Sequence, residues 1–378
     1  MENSLVTVNT AIAEAVQRIF TNLNNLTRWP QLTADKRYNQ LNKMGLSMFI
    51  CLCIACILEK HGILVNWTQF PKLAIYQAVQ KSVIANTPQS QFKWLKENAN
   101  IDNVAEHAIR KSYSEIPEEI WKFLETGESI EKDIFRLSGK LASKMELEEL
   151  TAITGTTHRY WNAMSSKLDE INEFKELISI IKADWMQTEP IIKEISLGLR
   201  NQYRWIFYCR AVECSVLGHL FETGVMAYIM SIENGNSERV ATRHFFMGIF
   251  HDIAETWTVD MPSPLKDAKP GLRKAIADFE AYMLETKMYK ELPIYLATML
   301  KSLDFESEIN KADFTLIKGA DYVSASLECL RQYWGGSRDP RFGKGVQDIQ
   351  KMVDNREIYV STIGKRIIDN STSLLNNN

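Results

Sequence analysis

The stretch GIFHDIAETWTVDMPSPLK, residues 248–266, decides how this chain is read. At its centre stand His251 and Asp252, an imidazole beside a carboxylate, and each offers one good donor atom to a metal ion. Read as a helix, the run places Glu255 four residues after His251, on the same face. Pro262 and Pro264 then mark a loop. Two more ligand candidates lie farther off: His219 upstream and Asp321 downstream. Two imidazoles and two carboxylates suit Mn, Fe, Co, Ni or Zn better than an all-oxygen site would, and do not exclude Mg. Four protein ligands leave a six-coordinate ion room for water and a phosphate oxygen. The ion would lower the pKa of that water and polarise phosphorus. The pattern points to metal-assisted hydrolysis of a phosphate ester.

Apolar residues recur at three- and four-residue spacing in 11–24, 44–58, 72–84, 116–125, 171–183, 216–232, 243–254, 271–288 and 314–332. Alternating, strand-like runs are scarce, so the fold class is all-α. A chain of 378 residues, 45% of them hydrophobic, can hold two ordinary domains or one large one. Its net charge of −3 sets up no strong field toward nucleic acid or an acidic membrane, so neither is an expected partner. An anionic substrate would have to be held by local cations or a metal.

Cys51, Cys53 and Cys56 lie in the apolar run GLSMFICLCIACIL, residues 45–58. No partner pair follows at zinc-finger spacing, so they read as small hydrophobes on a buried helix. The run is shorter than the ~20 apolar residues of a membrane span. The N-terminus lacks a basic segment before an apolar core, and a cytoplasmic location is expected.

The chain also reads as a repeat of itself. Residues 44–62 pair with 217–235, 72–93 with 243–266, and 177–195 with 313–330, in the same order. On that pairing Leu46 stands for His219, Gln80-Lys81 for His251-Asp252, Ile84 for Glu255, and Asp184 for Asp321. One carboxylate cannot hold such a metal, so the first half reads as a degenerate copy.

Arg204-Trp205, Gly218-His219, His251-Asp252-Ile-Ala-Glu255, the run Thr258 to Lys266 and Lys318-Gly-Ala-Asp321 together resemble the HD-domain metal-dependent phosphohydrolases. The likeness is greatest to the bacterial HD-domain 5′-deoxynucleotidases and covers roughly residues 200–355. It implies one divalent metal ion on His219, His251, Asp252 and Asp321, with Asp252 and Glu255 as the catalytic carboxylates and Glu255 the acid/base near the attacking water. It also implies that Arg204 binds phosphate, Trp205 packs on the sugar and disfavours a 2′-hydroxyl, and Asp260 bonds the 3′-hydroxyl. The chain departs from the family pattern at Gly218, where an acidic residue is usual, and after Arg204-Trp205, which proline does not follow. Arg28-Trp29-Pro30, in the first half, keeps that proline.

The expected architecture is two tandem HD-type helical bundles, a degenerate one over 1–197 and an active one over 198–378. The chain would be a monomeric pseudo-dimer or a homodimer. The expected reaction is release of phosphate from nucleoside 5′-monophosphates, preferably deoxyribonucleotides. The rivals are a nucleoside triphosphohydrolase, a signalling-nucleotide phosphodiesterase, and a nucleotide-sensing module with vestigial activity.

Overall fold

Helix α2 (Gln40–Lys60) is buried along almost its whole length, from Gln40 to Leu58, and the rest of the molecule is arranged around it. The computed structural model describes the chain apart from residues 1, 34, 88, 100–102, 260, 262, 267, 305–309, 311 and 377–378. Among the described residues there is no strand, only two isolated β-bridges, so the all-α reading holds. Around α2 the first half places α1 (Glu2–Asn25), α3 (Gln69–Ile84), α4 (Gln89–Ala99), α5 (Val104–Ser112), α6 (Glu118–Leu124), α7 (Ile130–Thr154), α8 (His158–Asn172) and α9 (Lys175–Asn201). The second half adds α10 (Val216–Glu233), α11 (Glu238–Phe250), α12 (Ser263–Lys266), α13 (Leu272–Met283), α14 (Ile294–Lys301), α15 (Phe314–Trp334), α16 (Pro340–Asp354) and α17 (Thr362–Asn376).

At 21 residues, α2 is longer than its apolar run and has the length and apolarity of a membrane span, yet its most apolar stretch is wholly packed inside the protein. Its cysteines are free and buried, as a packing role requires. α2 lies against α7 much as α10 lies against α15, and α2 and α10 also cross each other. A Cβ on Gly218 would come within 2.8 Å of the Asn42 side chain, and one on Gly45 within 2.6 Å of the Leu217 carbonyl. The stricter of the two is Gly45, where a side chain would meet backbone; at Gly218 it would meet the side chains of Asn42 and Leu41.

One cluster of buried apolar side chains runs from Ala13 on α1 to Ile368 on α17, through both halves. α1 packs against α17 at the far side of that cluster. The boundary read at residues 197 and 198 falls inside the continuous helix α9.

The entries into α2 and α10 are alike. Thr27 bridges Asn39, and Tyr203 bridges Ser215. Asn39 and Ser215 then cap the two helices, each side chain accepting the backbone N–H three residues on. Within each entry a tryptophan, Trp29 or Trp205, takes a positive φ of 56° or 62°. That region is costly for a residue with a side chain and persists only where its surroundings demand it.

Candidate metal centre

Two glycines bring the histidines together. A Cβ on Gly248 of α11 would lie 2.7 Å from the Cα of Gly224 on α10, so the two helices touch backbone to backbone. α11 ends at Phe250, directly after this contact, and delivers His251 beside His219 of α10. The two imidazole centroids are 5.2 Å apart. One donor atom from each of His219, His251 and Asp252 lies within 4.8 Å of the other two. That spread is close to the ~4 Å between opposite ligands of one ion with bonds of about 2.0–2.2 Å. α15 supplies Asp321, whose Oδ1 is 3.1 Å from His219 Nε2 and 3.9 Å from His251 Nε2. All four expected ligands thus converge.

His251 and Asp252 do not lie within a helix. They form the turn after α11, and Ile253–Thr256 is a short 3-10 helix. The reading of Glu255 as one α-turn from His251 is corrected accordingly. In a three-residue repeat Glu255 lines up with Asp252, whose carbonyl accepts its backbone N–H at 3.1 Å. Glu255 is buried. The turn also orients His251: its Nδ1–H points to the Gly248 carbonyl at 2.8 Å, which leaves Nε2 facing Asp252 and Asp321.

Two more charged residues adjoin the centre: Glu328, unmarked in the sequence, and Lys318, which the sequence pattern included without a role. Glu328 lies on α15 two turns after Asp321, on the same face. Its Oε1 is 3.4 Å from His219 Nδ1, and its Oε2 accepts from Arg204 Nε at 2.9 Å and Trp205 Nε1 at 2.8 Å. Lys318, one turn before Asp321, donates from Nζ to Asp321 Oδ2 at 2.7 Å. The two-turn spacing was the available signal for Glu328. What it bonds depends on segments distant in sequence.

The electrostatics are those of a site built for a cation. Burial and Arg204 push the His219 imidazole toward its neutral form, but Glu328 and Asp321 outweigh them and hold its pKa up at about 9. Burial opposes ionisation of Asp321, yet Lys318 and the two imidazoles keep it well below the usual carboxylate range. Asp252 is likewise held low against burial, chiefly by His251. Two ionised carboxylates beside buried imidazoles make a donor set that fits a divalent ion. Glu328, on the far nitrogen of His219, is the outer carboxylate that such centres use to orient a ligand.

The remaining expectations divide. Arg204 and Trp205 are drawn to the centre through Glu328. Asp260 lies outside the described residues. Asp184 is not a counterpart of Asp321: it sits on α9 and bonds Lys60 and His61 at the C-terminal end of α2. The element that packs on α2 as α15 packs on α10 is α7, whose apolar period the sequence reading passed over.

A sequence model of the family described as 5′-deoxynucleotidase YfbR-like matches residues 195–363. A 5′-deoxynucleotidase of Photobacterium profundum is 31% identical over 123 residues, covering 32% of this chain and 60% of that protein. One of Photorhabdus temperata is 24% identical over 148 residues, covering 37% of this chain and 73% of that protein. One of Vibrio vulnificus is 28% identical over 114 residues, covering 30% and 56%. The chain thus spans little more than half to three quarters of these relatives, and all of the family match lies in its second half. Residues 195–363, which contain the four converging side chains, are thus similar in sequence to the YfbR-like 5′-deoxynucleotidases.

Proposed function

We propose that the second half is a metal-dependent phosphohydrolase that releases phosphate from nucleoside 5′-monophosphates, deoxyribonucleotides preferred. The observation that carries this reading is the convergence of His219, His251, Asp252 and Asp321, with Glu255 buried in the adjoining turn. These four residues would hold one divalent ion, which when bound supplies a Lewis acid and a more acidic water.

The chain's own residues do the rest. The Glu255 carboxylate accepts the proton of the attacking water and returns it to the leaving nucleoside oxygen. Glu328 fixes the His219 ring, so that Nε2 stays turned to the centre. Arg204 lies 12% exposed beside it, with Nε committed to Glu328, and its planar fork suits a phosphate oxygen. Trp205, held to the same carboxylate, presents a rigid face for the sugar. Asp260 is assigned the 3′-hydroxyl. Burial of His219, Glu255 and Glu328 strengthens their electrostatic contacts relative to water.

In this reading residues 198–378 form the active HD-type bundle and 1–197 a degenerate one, and the α2–α10 crossing stands where two single-domain chains would meet. The chain then acts as a monomeric pseudo-dimer. Light scattering checks this: a mass of twice the chain, formed through the second half, overturns it.

The reaction is tested by incubating the purified protein with Co, Mn, Mg, Ni, Fe or Zn and a panel of deoxy- and ribonucleoside mono- and triphosphates. Free phosphate from monophosphates is expected. Release of pyrophosphate or tripolyphosphate moves the reading to a triphosphohydrolase, and turnover confined to a phosphodiester moves it to a phosphodiesterase. Tight binding without turnover in any metal leaves a sensor.

A further inference from the structure

The Arg204-Trp205-Glu328 clamp is built a second time in the first half. Arg28 Nε donates to Glu146 Oε2 at 2.8 Å, and Trp29 Nε1 donates to the same oxygen at 2.9 Å. Glu146 lies on α7 as Glu328 lies on α15.

The register follows from the caps. Four residues beyond Asn39 stands Lys43, and four beyond Ser215 stands His219. Lys43, not Leu46, therefore corresponds to His219. The sequence pairing had slipped by three residues, close to one helical turn, which leaves an apolar pattern nearly unchanged. Seven residues before Glu328 is Asp321, and seven before Glu146 is Gly139. A Cβ on Gly139 would fall 2.7 Å from Lys43 Nζ. The ammonium thus fills the place that a ligand carboxylate takes in the other half.

Lys43 is 6% exposed, and its ammonium makes no hydrogen bond or ion pair with a described residue. Cations crowd it. Arg28, Lys81 and Lys167 all act on its charge, against Glu146. Glu146 Oε2 is taken by Arg28 and Trp29, its Oε1 lies 3.6 Å from Arg200 Nη2, and Lys167 is taken by Glu170 at 2.7 Å. A buried cation without a counter-ion is costly, and a cluster of them more so. An anion relieves that cost.

We propose that Arg28, Lys43 and Lys81 form a second site that binds the phosphate group of a phosphomonoester without hydrolysing it. Lys43 supplies there the positive charge that the metal ion supplies in the other half. Without metal ligands the site has no means of activating water, so it holds its ligand intact. The phosphate part stands on the Lys43 cluster alone. The nucleoside part rests on the reading of the second half as a nucleotidase, because Trp29 repeats the setting of Trp205.

The test is calorimetric titration of the full chain carrying Asp252→Ala, in EDTA, with inorganic phosphate and separately with a deoxynucleoside 5′-monophosphate. One equivalent should bind, and Lys43→Met should weaken it at least tenfold. Thermal unfolding verifies that Lys43→Met folds, and loss of a buried charge should leave it no less stable. Tighter binding of the nucleotide than of phosphate supports a nucleotide site, and equal binding restricts the ligand to the phosphate group. Absence of binding, or binding that Lys43→Met leaves unchanged and Arg204→Ala removes, overturns the proposal. Because turnover is not the readout, failure of the nucleotidase reading would show separately, as absence of phosphate release from the unsubstituted protein.

Discussion

Glu328 holds His219 from behind: its Oε1 stands 3.4 Å from Nδ1, while its Oε2 takes both Arg204 and Trp205. One carboxylate thereby orients a proposed metal ligand and places the two residues proposed for phosphate and sugar. Glu328→Gln should lower metal affinity about 10- to 100-fold, the usual effect of losing such an outer partner. It should also raise KM for the nucleotide, because Arg204 loses its charged anchor. Metal titration followed by steady-state kinetics checks both, and wild-type affinity in this variant would remove Glu328 from the centre.

Asp252 and Glu255 should separate under substitution. Asp252→Ala removes a ligand, so both bound metal and phosphate release should fall to background. Glu255→Gln should keep the metal and lose turnover by about 10²- to 10⁴-fold, the range of general acid–base contributions. Elemental analysis beside a phosphate assay distinguishes the two. Asp184→Asn, on the exposed bond to Lys60 and His61, should leave turnover unchanged.

Gly248→Ala tests the contact that brings the histidines together. The added methyl meets the Gly224 backbone at 2.7 Å, where no flexible side chain can yield. Overpacking of this kind costs about 1–3 kcal/mol. Urea denaturation should show that loss, and metal affinity should fall with it as His251 moves from His219.

Lys43 should leave a signature in the pH dependence of stability. Burial, then Arg28, pulls its pKa down from 10.5 to about 7, with Glu146 opposing and Lys81 and Lys167 adding to the fall. Between those values the unfolded chain takes up a proton that the folded one refuses. The cost of Lys43 is therefore absent above about pH 10.5, grows as pH falls, and levels off below about 7. The growth is at most ~1.4 kcal/mol per pH unit. Lys43→Met should gain on the wild type across that window and run parallel to it below. Denaturant titrations at several pH values check the difference, and parallel curves throughout would show that Lys43 stays charged in the fold.

Helical periodicity and the HD run were enough to determine, from the sequence alone, an all-α chain, and to single out His219, His251, Asp252 and Asp321 as the candidate ligands that the fold brings together. These are local facts: period, residue type, and donor atoms that few other roles need at that spacing. Three features were decided only in the tertiary structure. Glu255 lies buried on a 3-10 turn that follows Asp252, because α11 stops at the Gly248–Gly224 contact. Glu328 matters because chain entering from residue 204 closes over it. Lys43, not Leu46, answers to His219, since a slip of three residues hardly disturbs an apolar helix pattern, whereas the caps at Asn39 and Ser215 and the Glu146 clamp admit only one register. Periodicity reports which face of a helix is buried. Which side chains meet across that face depends on how the helices are docked.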